Sequence, residues 1–594
     1  MKGPTLTLLA GVLLSGNAAS SSIPDARLTE ACTASHVLSS IPDSAAIGSL
    51  VVDPSSITAN TVFNVSFPDT TFYPAATISF CNVTLAYSHL GKNDQVRLQL
   101  WLPQPSEFQN RWLSTGGGGF ALNSGEEDLP GGVQYGAVSG ITDGGFGGFS
   151  VSADQVFLLA NGTIDYDVLY MFGYKAHYEL TTIGKAFTRS FYGMKQDERL
   201  YAYYQGCSDG GRQGYSQVQR YADDWDGAVI AAPAVRFAHQ KINHLYAAVV
   251  EQTMGYVPPP CEMDKILNLT IAACDALDGR RDGVVARTDL CKLHFNVSST
   301  LGASYSCPGT LTGSVELNAA STIPAQAGNV SAEGVALARA LLTGLKTLDG
   351  RAAYFWYQPS TAFTDAIPTN YNASTEKYAI PVESNGAKFV TRFLELLDID
   401  PLSPAAADNV LRGATYDTLV NWIALGWQRY EDTLQTSWPD LTPFASRGGK
   451  IIHIHGESDA SISSQSSVLY HEAMRKIMYP SLSFDESTRA MSEWNRLFLI
   501  PGGGHCAASA TQPNGGWPRT TLETLIRWVE GGRKPEKLDA VVQIGEKKGE
   551  EQKLCAWPRR PLWTRGGKIM KCVFDQESFH SWLFESEVFK MPLY

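Results

Sequence analysis

The chain has 594 residues, 44% of them hydrophobic and 18% charged. Those proportions describe a compact fold with a large core and more than one domain, and they argue against a disordered chain. A formal charge of -12 and a pI near 5.5 argue against nucleic-acid and anionic-membrane partners, which require a basic face.

Met1-Lys2-Gly3-Pro4, an apolar run from Leu6 to Leu14 and small residues to Ser20 predict a secretory signal peptide over residues 1–19. The run is too short to cross a bilayer, which takes roughly 20 residues. Residues 47–103 alternate apolar and polar positions, as in Val96–Leu102, and predict mostly antiparallel strands. Gly116–Gly119 follows Trp112–Thr115, a second glycine-rich stretch spans Gly140 to Gly148, and Asp167–Tyr192 reads as helical. Leu200–Tyr204 is a short aromatic strand. The turn Gly206-Cys207-Ser208-Asp209-Gly210 comes next, then a helix over Gln213–Tyr221 and a strand at Ala228–Ala232.

Between residues 240 and 445 the character changes. Sequons, cysteines, Tyr and Trp accumulate, with amphipathic helices expected at Val335–Leu345 and Asn409–Arg429. This stretch is expected to be an inserted lid domain separating two parts of a core, 20–239 and 446–594. Gly449–Gly456 and Arg496–Ile500 are strands again, and Thr520–Glu530 is a helix. The end, Phe589–Tyr594, lacks the apolar tail of a lipid-anchor signal. Ten cysteines, an even number, could all pair in an oxidising compartment. Asn-x-Ser/Thr sequons stand at Asn64, Asn82, Asn161, Asn268, Asn296, Asn329 and Asn372. The mature protein is therefore expected to be a secreted glycoprotein.

Gly-x-Ser-x-Gly on a strand–turn–helix makes Ser208 a candidate nucleophile. A serine hydroxyl needs a base, and the base needs an acid to fix its tautomer. The α/β-hydrolase arrangement supplies them in the order Ser, Asp or Glu, His, each after a core strand. Here Asp459 follows the strand ending near His455, and His505 follows the strand ending at Ile500. Glu457 is the rival acid, two residues earlier. The oxyanion requires N–H donors, expected from Asp209 and from Gly117 or Gly118. Cys207 precedes Ser208 and Cys506 follows His505, so a disulfide between them would clip base to nucleophile.

A second constellation is Cys274–Val284, where Asp275, Asp278 and Asp282 recur among glycines. Carboxylates at this density, with the carbonyls of Arg280 and Val284, suit a structural Ca²⁺, although the spacing is not that of an EF-hand. The plain alternative is an acidic turn with Asp capping short helices. His453 and His455 share a strand face near Glu457, which permits a zinc reading, but no Cys or third His lies close in sequence, and core or substrate-pocket histidines are the plainer reading.

At these residues the chain resembles the tannase and feruloyl esterase family of α/β-hydrolases. The family pattern is a Cys-Ser, Asp, His-Cys set, found here as Cys207-Ser208, Asp459 and His505-Cys506. Within the family, Gly206–Arg212, Pro258–Met263, Ile271–Gly279 and Gln552–Trp557 are most similar to fungal tannases. The resemblance implies the α/β-hydrolase fold with a lid, a Ca²⁺ loop at Cys274–Val284 and no organic cofactor. It also implies serine hydrolysis of small phenolic esters, galloyl esters first and hydroxycinnamoyl esters as the alternative. The family disulfides would be Cys32–Cys81, Cys207–Cys506, Cys274–Cys291 and Cys555–Cys572, leaving Cys261 with Cys307. A non-catalytic binding protein on the same fold is the competing class, against which the complete triad argues.

Overall fold

The computed structural model describes residues 28–313, 320–381, 384–399 and 410–589. The expected signal peptide, residue 409 and residues 590–594 lie outside these. Nine strands form one sheet: β1 (Leu50–Phe67), β2 (Ala76–His89), β3 (Val96–Pro103), β4 (Arg111–Thr115), β5 (Ala137–Thr142), β6 (Tyr201–Cys207), β7 (Gly227–Ala231), β8 (Lys450–Gly456) and β9 (Asn495–Ile500). Their spatial order is β1-β2-β3-β5-β4-β6-β7-β8-β9. The first three are antiparallel, as their alternating pattern predicts, and β5 through β9 run parallel.

The parallel strands are buried on both faces, which explains their near-continuous apolar sequences. Alternate residues enter two separate cores. Trp112, Tyr204, Ile230 and Ile451 face one layer, where helices α1 (Ala176–Phe191), α2 (Asp209–Arg220) and α3 (Ser464–Met478) pack. Leu113, Tyr203, Val229 and Ile452 face the other, against α4 (Thr521–Gly531). This is an α/β-hydrolase fold. Because β6, β8 and β9 are parallel, their C-terminal ends lie along one edge of the sheet, where open α/β sheets carry ligands.

Three helix starts differ from the sequence reading by three residues or more. The helix expected from Asn409 runs over Tyr416–Tyr430, because Thr415 caps it by accepting the Thr418 N–H. The helix expected from Gln213 begins at Asp209, because the chain reverses at Ser208 and turns helical at once. The helix expected from Val335 covers Ala332–Thr343, because Ser331 caps it by accepting the Gly334 N–H. Residues between β7 and β8 form helices at Phe237–Asn243, Tyr246–Met254, Pro260–Cys274 and Tyr416–Tyr430, with short two-stranded ribbons. The first of these helices runs across the expected 239/240 boundary. Among the described residues no helix is long and apolar enough to cross a membrane.

Candidate active site

Ser208 follows β6 directly and adopts φ 63° and ψ -122°. A non-glycine residue held there costs about 1–3 kcal/mol and persists only when its surroundings fix it. Ser208 N–H donates to Ala231 O at 3.0 Å, and Ser208 O accepts from Arg212 and Ala234 N–H. The flanking glycines are required by close approach. A Cβ on Gly206 would stand 2.7 Å from the Gly210 backbone, and one on Gly210 2.6 Å from Gly117 O. The turn thus lifts the Ser208 hydroxyl out at the sheet edge.

His505 lies in the glycine-rich loop after β9. Its Nδ1 is 2.8 Å from Asp459 Oδ2 and its Nε2 is 3.0 Å from Ser208 Oγ. An ionised carboxylate can only accept, so Nδ1 carries the proton and the Nε2 lone pair faces the serine hydroxyl. Asp459 is buried and surrounded by donors. Ser461 and Ile462 N–H reach Oδ1 at 2.8 Å, and His455 Nε2 lies 3.1 Å from Oδ2. Burial alone would raise this carboxyl. The His505 charge, then hydrogen bonds from His455 and His505, hold it well below the usual carboxylate range.

The rival acid points elsewhere. Glu457 pairs with Arg560 at 2.5 Å and accepts from Thr288 Oγ1, inside a buried cluster that also contains Asp289 and Arg287. Its carboxylate is engaged in a different part of the molecule from His505.

Cys207 and Cys506 are joined, with Cα atoms 6.0 Å apart. The bridge ties the residue before the serine to the residue after the histidine. Cys32–Cys81, Cys261–Cys307, Cys274–Cys291 and Cys555–Cys572 are also formed.

Asp209 directs its side chain into the core, where both carboxylate oxygens meet Arg212 and one also meets Gln213. Its backbone N–H stands at the start of α2, next to Ser208. Gly117 N–H donates to Gln213 Oε1 at 3.2 Å. Gly118 lines the cavity above Ser208, and nothing lies within 4 Å of where its Cβ would stand. Of the two expected glycines, Gly118 therefore has the open edge. Gln213 went unmarked in the sequence because no motif names it. Its side chain links Gly117, Asp209, Ala121 and His177, so it holds the glycine loop against the nucleophile turn.

The cavity has a volume of about 850 Å³. Besides Ser208, His505 and Cys506, its lining includes the polar Gln240, Lys241, His244 and Ser461 and the aromatic Phe67 and Phe72. His244 Nε2 lies 2.7 Å from Gln240 Nε2 and 3.1 Å from Ser461 O.

Asp275, Asp278 and Asp282 occupy one loop after Pro260–Cys274. Burial first, then the charges of Asp282 and Asp275, push the Asp278 carboxyl up to about 7. A cavity of about 30 Å³ touches Asp278, Asp282 and Val284. Asp282 is paired with Arg280 at 2.9 Å, and among the described residues no three His, Cys, Asp or Glu side chains are gathered as a ready metal site. The donor types and their mutual repulsion nonetheless fit a hard divalent cation. His453 and His455 do not form a metal pair: all four of their ring nitrogens have hydrogen-bond partners, with Ser467 between them. Asn64, Asn161, Asn268, Asn296, Asn329 and Asn372 are exposed, whereas Asn82 is half-buried on β2.

A family model described as tannase and feruloyl esterase matches residues 81–578. A tannase from Aspergillus oryzae is 46% identical over 587 residues, covering 96% of this chain and 97% of the relative. The solved tannin acyl hydrolase from Aspergillus niger superposes with a TM-score of 0.90 at 51% identity, covering 96% of this chain and 99% of that one. Feruloyl esterase B from Aspergillus oryzae shares the fold, with a TM-score of 0.65 at 23% identity, covering 90% of this chain and 100% of that one. The chain belongs to the tannase and feruloyl esterase family and is a carboxylic ester hydrolase.

Proposed function

We propose that the protein hydrolyses phenolic acid esters, galloyl esters and depsides foremost, through an acyl-enzyme on Ser208. The observation that carries this reading is the line from Ser208 Oγ to His505 to Asp459, at 3.0 and 2.8 Å, opening into the large cavity. The galloyl preference is supported by 46% and 51% identity to proteins named for tannin hydrolysis, against 23% to a feruloyl esterase.

In the first step His505 Nε2 takes the Ser208 proton as Oγ attacks the ester carbonyl. Asp209 and Gly118 N–H stabilise the oxyanion. The alcohol leaves with the proton from His505. Water, deprotonated by the same imidazole, then releases the acid and restores Ser208. Gln240, Lys241, His244 and Ser461 supply polar groups for ring hydroxyls. A site built to bond hydroxyls rejects an analogue that lacks them far more strongly than an apolar pocket could.

The protein is secreted and glycosylated at exposed sequons, a reading supported by the five disulfides. Asp275, Asp278 and Asp282, with the carbonyls of Arg280 and Val284, would hold Ca²⁺, which cross-links the loop and takes no part in the chemistry. Exhaustive chelation is expected to lower the melting temperature while kcat of the remaining folded enzyme is unchanged.

Purified enzyme is expected to show kcat/KM on methyl gallate at least about 100-fold above that on methyl ferulate. Equal or reversed preference overturns the galloyl reading in favour of the feruloyl one. Turnover retained in Ser208→Ala overturns the nucleophile.

A further inference from the structure

His453 and His455 project from the same face of β8 toward α2 and α3. Starting at the catalytic acid, Asp459 Oδ2 lies 3.1 Å from His455 Nε2, and His455 Nδ1 lies 2.6 Å from Ser467 Oγ. Ser467 Oγ lies 2.7 Å from His453 Nε2, and His453 Nδ1 lies 2.9 Å from Tyr215 Oη. All five residues are no more than 1% exposed.

With neutral imidazoles, only one arrangement of protons satisfies every contact. His455 Nε2 also lies 3.0 Å from Ile462 O, and a carbonyl can only accept, so Nε2 carries the hydrogen. Nδ1 of His455 must then accept from the Ser467 hydroxyl. The Ser467 oxygen, its proton used, accepts from His453 Nε2–H, and His453 Nδ1 accepts from Tyr215 O–H. Every donor in the row points toward Asp459. The row ends on Oδ2, the same oxygen that receives His505 Nδ1.

We propose that His455, oriented by Ser467, His453 and Tyr215, is a positioning residue for the ester hydrolysis. It shares Asp459 Oδ2 with His505, and so fixes the carboxylate plane and limits how much of its charge the catalytic imidazole receives. This rests on the reading of Ser208, His505 and Asp459 as the catalytic triad. A satisfied polar cluster serving only the core would have no reason to end on that oxygen. The titratable or charged groups facing the row are Asp459 and His505 at one end, Tyr215 and Tyr470 at the other, and His471 beside His453.

The test is the pH profile of methyl gallate hydrolysis in native enzyme, His455→Leu, His455→Gln and Ser467→Ala. Active sites are counted by labelling with a fluorophosphonate. In His455→Leu, kcat per labelled site is expected to fall about tenfold, the equivalent of one hydrogen bond to a charged group, with KM little changed. The acid limb of kcat/KM should move to higher pH, because Asp459 Oδ2 is left to His505 alone. His455→Gln, whose amide can reach Asp459, should recover most of kcat and the native limb. Ser467→Ala, a smaller lesion that keeps the fold if His455→Leu does not, should shift the limb in the same direction. A native acid limb and native kcat per site in His455→Leu or Ser467→Ala, or no recovery in His455→Gln, overturns the proposal. Native enzyme that takes up no label would instead refute the triad itself.

Discussion

Two buried carboxylates stand two residues apart at the end of β8, in regions with opposite demands. Asp459 meets two backbone N–H groups and two imidazoles, one of which faces the serine. Glu457 meets Arg560 and Thr288, joining three stretches of chain: the loop after β8, the segment at 287–289 and the C-terminal part. Asp459 is held below the ordinary carboxylate range despite burial. Glu457 is raised by burial despite Arg560. Proximity in sequence says little about role here, because the partners decide it.

The strongest way to break this comparison is to neutralise each carboxylate in turn. Asp459→Asn keeps the shape but lets His505 take the wrong tautomer. Its kcat on methyl gallate is expected to fall by about 10⁴, with the melting temperature close to native. Glu457→Gln with comparable damage to kcat per labelled site would mean the assignments are reversed.

Next in size is the covalent clip, which belongs to the Asp459 side. Replacing Cys207 and Cys506 together by serine frees the base loop from the nucleophile turn. A misplacement of about 1 Å between reacting groups can cost about 100-fold, so kcat should fall by that order. Unchanged turnover in the doubly substituted protein would show that the loops hold their geometry without the bridge.

Glu457→Gln comes third, and its effect is on stability. A buried pair with a raised carboxyl is not itself a net source of stability. Removing one partner is still costly, because Arg560 keeps its buried charge. A loss of about 3–5 kcal/mol in urea unfolding is expected, with kcat per labelled site near native. Arg560 is pushed upward by Glu457 and Asp289 although burial lowers it, which suggests more attraction than the Glu457 shift does. The Arg560 side is the better guide to the variant, since that charge is the one left behind.

The triad was readable from sequence because each member follows a strand of the parallel half, and strand ends there share an edge. The preference for Asp459 over Glu457 rests in the sequence only on its deeper place in the loop and on the family resemblance, because both stand where the motif allows an acid. Arg560 lies 103 residues after Glu457 and Thr288 lies 169 before it, so no local pattern reports the pairing. The histidine row was hidden for the same reason. His453 and His455 alternate visibly, but Tyr215 comes 238 residues earlier and Ser467 from a separate helix. Without those partners, two histidines on one face suggest a metal.

The smallest expected effect sharpens the contrast most, because the two carboxylates act with opposite sign on stability against pH. Stability rises with pH wherever the unfolded state binds more protons than the folded state. Asp459 is depressed when folded, so its contribution is present above the unfolded carboxyl range and is lost as pH falls through the folded value. Asp459→Asn should therefore flatten the acid side of the stability curve. Glu457 is raised, so the folded state holds its proton longer, and its contribution is lost as pH rises past the ordinary carboxyl range. Removing it in Glu457→Gln should make stability climb more steeply over that interval. The sign of each change in slope is the expected result. Urea unfolding of native protein and both variants between pH 3 and 7 would measure it. Slopes that change in the same direction would mean that the two carboxylates share one environment, and the division of the loop would fall.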